Sequence, residues 1–371
     1  MNLRILIIGA CPYPVPQGSQ VFMRDHALAL KELGHEVQLL VYGYGVGEDE
    51  SGLVLHRVPS IPGAKRVKAG PTCLKLFMDL GLLFKLRQVF YKERIDVAIA
   101  HNYEALLAAL LAGVRPLIYH AHNAMLDELP YYFHGWGLFQ KMGQWLDQSL
   151  PRRADHCIVP HTRLAEYLLS QGVHEDRITL VPQPVLGCAF VAPRYDVSQT
   201  DVLYTGNLDR YQNLGLLYEA MDKVHASIPG IRLLIATHQT DLHLPQKPYV
   251  EVKHVDHFAD MRRFLEMDVI FALPRVSWSG YPVKLLNAMT AGRPVVACSG
   301  ASHELTNDLN ALVVPDNDAS AFAEAILRLV NDIELRKRLG LAARDWVLHH
   351  HAPAQAAAAM QAVLERVVSS R

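Results

Sequence analysis

Short apolar, β-branched runs alternate with longer amphipathic stretches through almost the whole chain. The runs at Leu3–Ile8, Glu36–Val41, Leu53–Val58, Val97–Ala100, Leu117–Tyr119, His156–Val159 and Ile178–Val181 predict strands. Between them, apolar residues at helical spacing predict helices over Gln20–Leu33, Thr72–Tyr91, Tyr103–Ala112, Leu138–Leu150 and Thr162–Gln171, with Gly34 closing the first. The rhythm lapses between Val185 and Thr200, which reads as a linker. It restarts with strands at Val202–Thr205, Arg232–Ala236, Val250–His254, Val269–Ala272, Val295–Ala297 and Ala311–Val313. Such alternation predicts an α/β protein whose parallel sheets are covered by helices. Two Rossmann-like, doubly wound domains are expected, residues 1–186 and 200–348, facing each other across a cleft. The alanine-rich tail predicts a last helix (354–371) that packs back on the first domain.

One stretch carries candidate chemistry. Phe271–Cys298, FALPRVSWSGYPVKLLNAMTAGRPVVAC, reads as buried strand, polar loop, helix and second buried strand. Pro282 suits a first helical turn and Gly292 a helix stop. The free amides of Tyr281, Val283 and Lys284, beside Ser279 and Gly280, would then meet an anion at a helix N-terminus, with Lys284 adding a full charge.

Composition narrows the classes. The 371 residues are half apolar and one fifth charged, with a formal net charge of −1, which gives no basic face for nucleic acid. Five scattered cysteines without a C-x-x-C pair fit reduced thiols in a cytoplasm, neither a disulfide framework nor a zinc site. The apolar run Ile5–Ile8 is too short for a signal peptide, and no window reaches a membrane span. His349–His351 reads as a solvated turn between helices, because three consecutive side chains point in different directions. Gly43–Gly47 is followed by Glu48, Asp49 and Glu50 and is rejected as a dinucleotide loop.

In order and spacing, several segments together resemble the family-4 retaining glycosyltransferases of the GT-B fold. They are LRILIIG with the proline-rich loop Pro12–Ser19, IYHAHN at Ile118–Asn123, RADHCIVPHTRLAEYLLSQGV at Arg153–Val173, LVPQPV at Leu180–Val185, LYTGNLDRYQNLGLLYEAM at Leu203–Met221, the GYPVKLLNAMTAGRPVVA block, and the tail from His303 to Gly340. The resemblance implies transfer of a sugar from a nucleotide-diphospho-sugar, with retained anomeric configuration and no metal or other cofactor. It places the nucleotide in the second domain and the acceptor mainly in the first. His122 matches the family histidine that reaches the transferred sugar. His120 is read as structural, facing the other side of its strand. Gly18 and Ser19 match the family's first glycine-containing loop. His101, Asn102 and Asn123 are candidates for the acceptor side.

The chain departs from the family pattern at the donor. Ser279 and Asn287 stand at the two ends of a seven-residue gap where the family has glutamates. After Gly206, Asn207 and Gln212 replace an arginine and a lysine that grip the diphosphate. Arg210 and Lys284 are the expected replacements. The alternative is a non-catalytic relative that binds a glycan or a partner protein. A Rossmann-type oxidoreductase lacks its G-x-G-x-x-G loop at Gly9, Ala10 and Cys11.

Between Lys65 and Arg94 lie eight Lys or Arg and two acidic residues among many Leu and Phe. A basic, broadly apolar helix can rest on an anionic leaflet. The expected partners are therefore a nucleotide sugar, a lipid-linked or cell-envelope glycan and an anionic membrane surface. The expected location is the cytoplasm and the inner face of its membrane.

Overall fold

The computed structural model describes residues 2–15, 18–45, 49, 51–60, 73–133, 136–185, 190–191, 193, 195, 200–239, 244–255 and 258–369. The Gly43–Gly47 segment, the loop before Gly18, the linker after Val185 and the basic stretch from Lys65 fall partly outside these residues.

The chain divides into two compact units, Met1–Pro184 with Ser279–Tyr281 and Pro353–Arg371, and Val185–Trp278 with Pro282–Ala352. The first unit holds β1 (Arg4–Gly9), α1 (Gly18–Glu32), β2 (Glu36–Val41), β3 (Val54–Arg57), α2 (Cys73–Lys92), β4 (Val97–His101), α3 (Asn102–Leu111), β5 (Leu117–His120), α4 (Met125–Tyr132), α5 (Trp136–Ser149), β6 (His156–Val159), α6 (Thr162–Ser170) and β7 (Ile178–Leu180). Its seven strands run in the order β3-β2-β1-β4-β5-β6-β7, and every pairing is parallel.

The second unit holds β8 (Asp201–Thr205), α7 (Leu214–Ser227), β9 (Leu233–Thr237), β10 (Val250–His254), α8 (Phe258–Glu266), β11 (Val269–Leu273), α9 (Val283–Thr290), β12 (Val295–Cys298), β13 (Leu312–Val314), α10 (Ala319–Asn331) and α11 (Ile333–His350). Its six strands follow β10-β9-β8-β11-β12-β13, again all parallel.

Parallel strands need cover on both faces, so their residues are apolar without alternation. The strands β4, β8, β9 and β11 are buried along their whole length. Strand order reverses at β1/β4 and at β8/β11, the points where such sheets collect ligands outside the strand ends. In the first sheet, register sets Gly9 beside His101 and His101 beside His120.

Helix α12 (Pro353–Ser369) belongs to the first unit, where Ala356, Met360, Val363, Leu364 and Val367 enter the same core as β1 and β2. His35 ties it down, accepting from the Leu3 amide at 3.2 Å through one ring nitrogen and meeting Gln361 Oε1 at 2.7 Å through the other.

The histidine run departs from its expected place. His349 and His350 form the last turn of α11, and His351 is buried, with Trp346 5.6 Å from its ring and its carbonyl accepting from the Val185 amide. In the second unit, α11 crosses the end of α9 so closely that a Cβ on Gly340 would stand 2.2 Å from the Gly292 carbonyl oxygen. Gly292 itself has φ +69° and accepts from the Tyr195 hydroxyl at 2.6 Å.

Leu364 is fully buried, so Leu364→Ala is expected to lower the stability of the first unit by about 2–4 kcal/mol, the usual cost of a large-to-small core change. Denaturant titration read by hydrogen exchange at the β1 and β4 amides measures it; a loss confined to the second unit would contradict this packing.

Candidate functional site

In the first unit, polar groups gather where β4 and β5 end. His101 is the last residue of β4 and His120 the last of β5; the loop that follows carries His122 and Asn123. His101 Nδ1 lies 2.8 Å from His122 Nε2, and the ring centroids of His101, His120 and His122 stand 4.5–5.0 Å apart. The expectation for His120 is therefore corrected: residues two apart on extended chain share a face, and His120 joins the cluster.

Helix α1 completes it. Phe22 meets His120 and His122 edge-on or tilted at 4.9 and 5.1 Å, and His26 lies 4.9 Å from His120. Gly18 and Ser19 open this same helix. Gly18 is exposed, and the half-buried Ser19 donates its hydroxyl to Gln20 Oε1 at 2.8 Å. Asn102 takes the left-handed region at φ +72°, which asparagine tolerates.

Burial keeps the imidazoles neutral. It pushes His26 down to about 4 and His122 to about 3, and holds His101 and His120 well below the usual range, with neighbouring imidazoles adding to the effect.

The loop that carries His122 is pinned by a carboxylate from α5. Buried Asp147 accepts from the amides of Met125 and Leu126 at 2.9 and 3.0 Å, from the Tyr167 hydroxyl at 2.7 Å and from Tyr103. It thus serves the N-terminus of α4, whose orphan amides need an acceptor. Burial raises the Asp147 carboxyl even though these donors pull it down.

The segment Ser279–Tyr281 clusters with this unit. Asp127 on α4 accepts from the Ser279 amide at 3.0 Å and from its hydroxyl at 2.7 Å. His161, which caps α6 through its other nitrogen, reaches the Ser279 carbonyl at 2.9 Å and stacks on Tyr281 at 5.9 Å. Gly280 between them is half-buried.

In the second unit, a compact polar group forms where β8 meets α9. Gly206 follows β8 directly with φ +112°, a backbone that needs glycine, and Lys284 packs 3.7 Å from where a Cβ would be. Lys284 Nζ donates to Gln212 Oε1 at 2.6 Å and to the Tyr204 hydroxyl at 2.9 Å, and lies 4.0 Å from the centre of the Tyr204 ring. Gln212 in turn donates to Asn207 Oδ1 at 2.6 Å, and Asn207 Nδ2 donates to Asp209 at 2.6 Å and Tyr211 at 2.8 Å. Burial drives the Lys284 ammonium well below its ordinary pKa, Arg275 lowers it further, and Asp209 opposes them.

Of the sequence candidates, Gly206, Asn207, Gln212 and Lys284 come together here. Pro282 precedes the first turn of α9 and does not form part of it; Val283 begins the helix, and half-buried Asn287 follows Lys284 one turn on. Arg210 is exposed. The second cation beside Lys284 is instead Arg275, buried just after β11, with its guanidinium 5.0 Å from the Tyr211 ring and bonded to Ser277. A lone arginine at a strand end carries no local signal in the sequence. Phe22 and His26, four apart on α1, had one in their shared helical face.

Residues 17–184 match the family described as glycosyl transferase 4-like domain, and residues 199–332 match glycosyl transferases group 1. No curated protein matches the sequence significantly. Among solved structures, sucrose-phosphate synthase from Thermosynechococcus elongatus is similar with a TM-score of 0.82 at 17% identity over 100% of both chains. HepE of Anabaena, in complex with UDP-glucose, gives 0.74 at 14% identity, covering 99% of this chain and 100% of that one. A variant of S. aureus TarM, in complex with Fondaparinux, alpha-GlcNAc-glycerol and UDP, gives 0.74 at 11% identity over 98% and 99%. The fold is GT-B.

Because the denatured chain takes up protons near pH 6.5 while the buried imidazoles resist them to about 4 or below, acid favours unfolding in that window. The first unit is expected to lose stability as the pH falls from 6.5 to 5, by about 2 kcal/mol for each fully buried imidazole. Denaturant midpoints read at the β4 and β5 amides check this. His120→Leu should flatten the dependence.

Proposed function

The chain is a glycosyltransferase by its two domains, the 4-like followed by the group 1, and we propose that it moves a sugar from a nucleotide-diphospho-sugar to a lipid-linked or cell-envelope glycan with retention of anomeric configuration. The second unit is the donor side. The observation that carries this reading is the strand-end group in which Lys284 and Arg275 stand with Asn207 and Gln212 at the N-terminus of α9. Two cations and a helix N-terminus aimed at one place suit a diphosphate leaving group, whose charge grows as the sugar departs. The family's arginine and lysine are absent, and Arg275 with Lys284 takes over their task. No metal is needed for this stabilisation.

A lysine whose ammonium is held well below its ordinary pKa is short of counter-charge, and an arriving diphosphate supplies it. Asn287 offers an amide that both donates and accepts, as ribose hydroxyls require. His122, neutral through burial, is assigned to a hydroxyl of the transferred sugar. Gly18, Ser19, His101, Asn102 and Asn123 are assigned to the acceptor side of the first unit.

The acceptor reading draws support from α2. One face buries Met78, Leu82, Leu86 and Val89, while Leu76, Phe77, Leu80 and Phe84 project outward, with Leu76 and Phe84 70% and 68% exposed. Lys85, Arg87 and Lys92 lie on the same helix. No helix among the described residues is long and apolar enough to cross a membrane. An apolar ridge flanked by cations suits adsorption to an anionic leaflet, where a lipid-linked acceptor is found.

Calorimetry with a panel of nucleoside diphosphates, beginning with the UDP held by two structural neighbours, tests the donor site. Binding is expected for one base, and Lys284→Met should weaken it about 10- to 100-fold, the value of one or two charge-assisted hydrogen bonds. Failure to bind any nucleotide would favour the non-catalytic alternative; proton NMR of the turnover product reads the anomeric outcome. In sedimentation with phosphatidylglycerol vesicles at low salt, the chain should pellet and Phe77→Ser/Phe84→Ser should stay in the supernatant. Equal recovery of both would remove the membrane from the proposal.

A further inference from the structure

The histidine cluster of the first unit contains more than a sugar contact needs. One ring nitrogen from each of His101, His120 and His122 lies within 4.8 Å of one from each of the others. Both nitrogens of His120 and Nε2 of His101 are buried with no hydrogen-bond partner among the described residues. Buried imidazole nitrogens left unpaired are costly, and a native protein that keeps several at one spot has a use for their lone pairs. We propose that His101, His120 and His122 form a binding site for a borderline transition-metal ion of the Zn²⁺ class.

Ligand type and geometry both fit. Three imidazoles with one open position are a recurrent arrangement for four-coordinate zinc, and imidazole suits Zn²⁺, Co²⁺, Ni²⁺ and Cu²⁺ far better than Mg²⁺ or Ca²⁺. Metal–nitrogen bonds of about 2.0–2.1 Å in a tetrahedral shell set ligand nitrogens about 3.3 Å apart. Closing from 4.8 Å to that spacing needs ring rotation, and histidine χ2 is a broad torsion.

The surroundings support the site. His26 packs on His120 and directs Nε2 to the Pro182 carbonyl at 3.4 Å, while Phe22 walls off the other side. His122 is half-buried and gives the ion a way in. The three ligands are imidazoles, which carry no negative charge, so a bound ion keeps its full charge and favours an anionic fourth ligand. The site stands apart from the donor reading, and only its consequence for transfer rests on the assignment of His122 to the sugar. An ion here would occupy the imidazole assigned to the sugar, which makes it a regulator of transfer rather than a cofactor for it.

Titration of chelator-treated, full-length protein with Co²⁺ tests the site. One equivalent is expected to bind with the intense visible bands of a four-coordinate ion, and Zn²⁺ should bleach them. His120→Gln should weaken this binding about a hundredfold or more, since even outer-shell partners of a metal site cost 10–100-fold. His349→Ala/His350→Ala should leave the bands unchanged, which separates the cluster from the histidine run on α11. Absence of the bands in the wild type, their survival in His120→Gln, or their loss in the α11 variant would overturn the proposal. If His120→Gln does not fold, histidine ring NMR of the wild type decides: Zn²⁺ should shift His101, His120 and His122, and a shift confined to His349 and His350 would refute the site.

Discussion

A parallel strand that is covered on both faces can place a polar side chain at low cost only at its ends or where a neighbouring strand answers it, and that constraint shapes both units. The residues of β4, β8, β9 and β11 are buried without exception, so each sheet offers chemistry only where its strands stop. In the first unit the stopping residues are histidines, aligned by register on neighbouring strands. In the second they are a glycine, two amides and an arginine that surround a lysine from the following helix. The two units share a topology and have filled the same position with different chemistry, neutral imidazoles in one and cations in the other.

Both groups rely on charges taken out of water and then answered. Asp147 shows this most fully: four donors from three elements meet it, and through it the loop bearing His122 is tied to α4, α5 and α6. Lys284 is answered only in part, by neutral oxygens, an aromatic face and the field of the Asp209 carboxylate. Removing a partner from a satisfied buried carboxylate leaves an uncompensated charge, while adding an anion to an under-satisfied ammonium relieves one. The first arrangement fixes structure; the second is suited to receiving a ligand.

The strands were legible in the sequence to within a residue or two, because a continuous apolar run bounded by turn residues is a strong signal for a strand buried on both faces. Helix α4 was not legible. It contains Pro130, and its N-terminal amides are served by Asp147, more than 20 positions away in the chain. Lys284 could be found from the helix-start pattern around Pro282, a local signal. Arg275 could not, since its role comes from Tyr211 and Lys284, which only the folded sheet brings near it. His120 was misplaced by a period error, and the tie between Ser279 and Asp127 spans 152 positions, beyond the reach of any window.

Two glycines let α11 and α9 meet, Gly340 lying against the Gly292 carbonyl at the end of α9 beside the Tyr195 hydroxyl. Arg344 adds a bond to the Thr290 carbonyl of the same helix end. Helix α9 is thus anchored from behind by backbone, which has no rotamers to adjust, and its front can be recut without moving its axis. Substitutions among Tyr204, Asn207, Asp209, Tyr211, Gln212 and Asn287 leave that seam untouched, whereas even a methyl group at position 340 would stand 2.2 Å from the Gly292 carbonyl oxygen and force one of the two helices to shift.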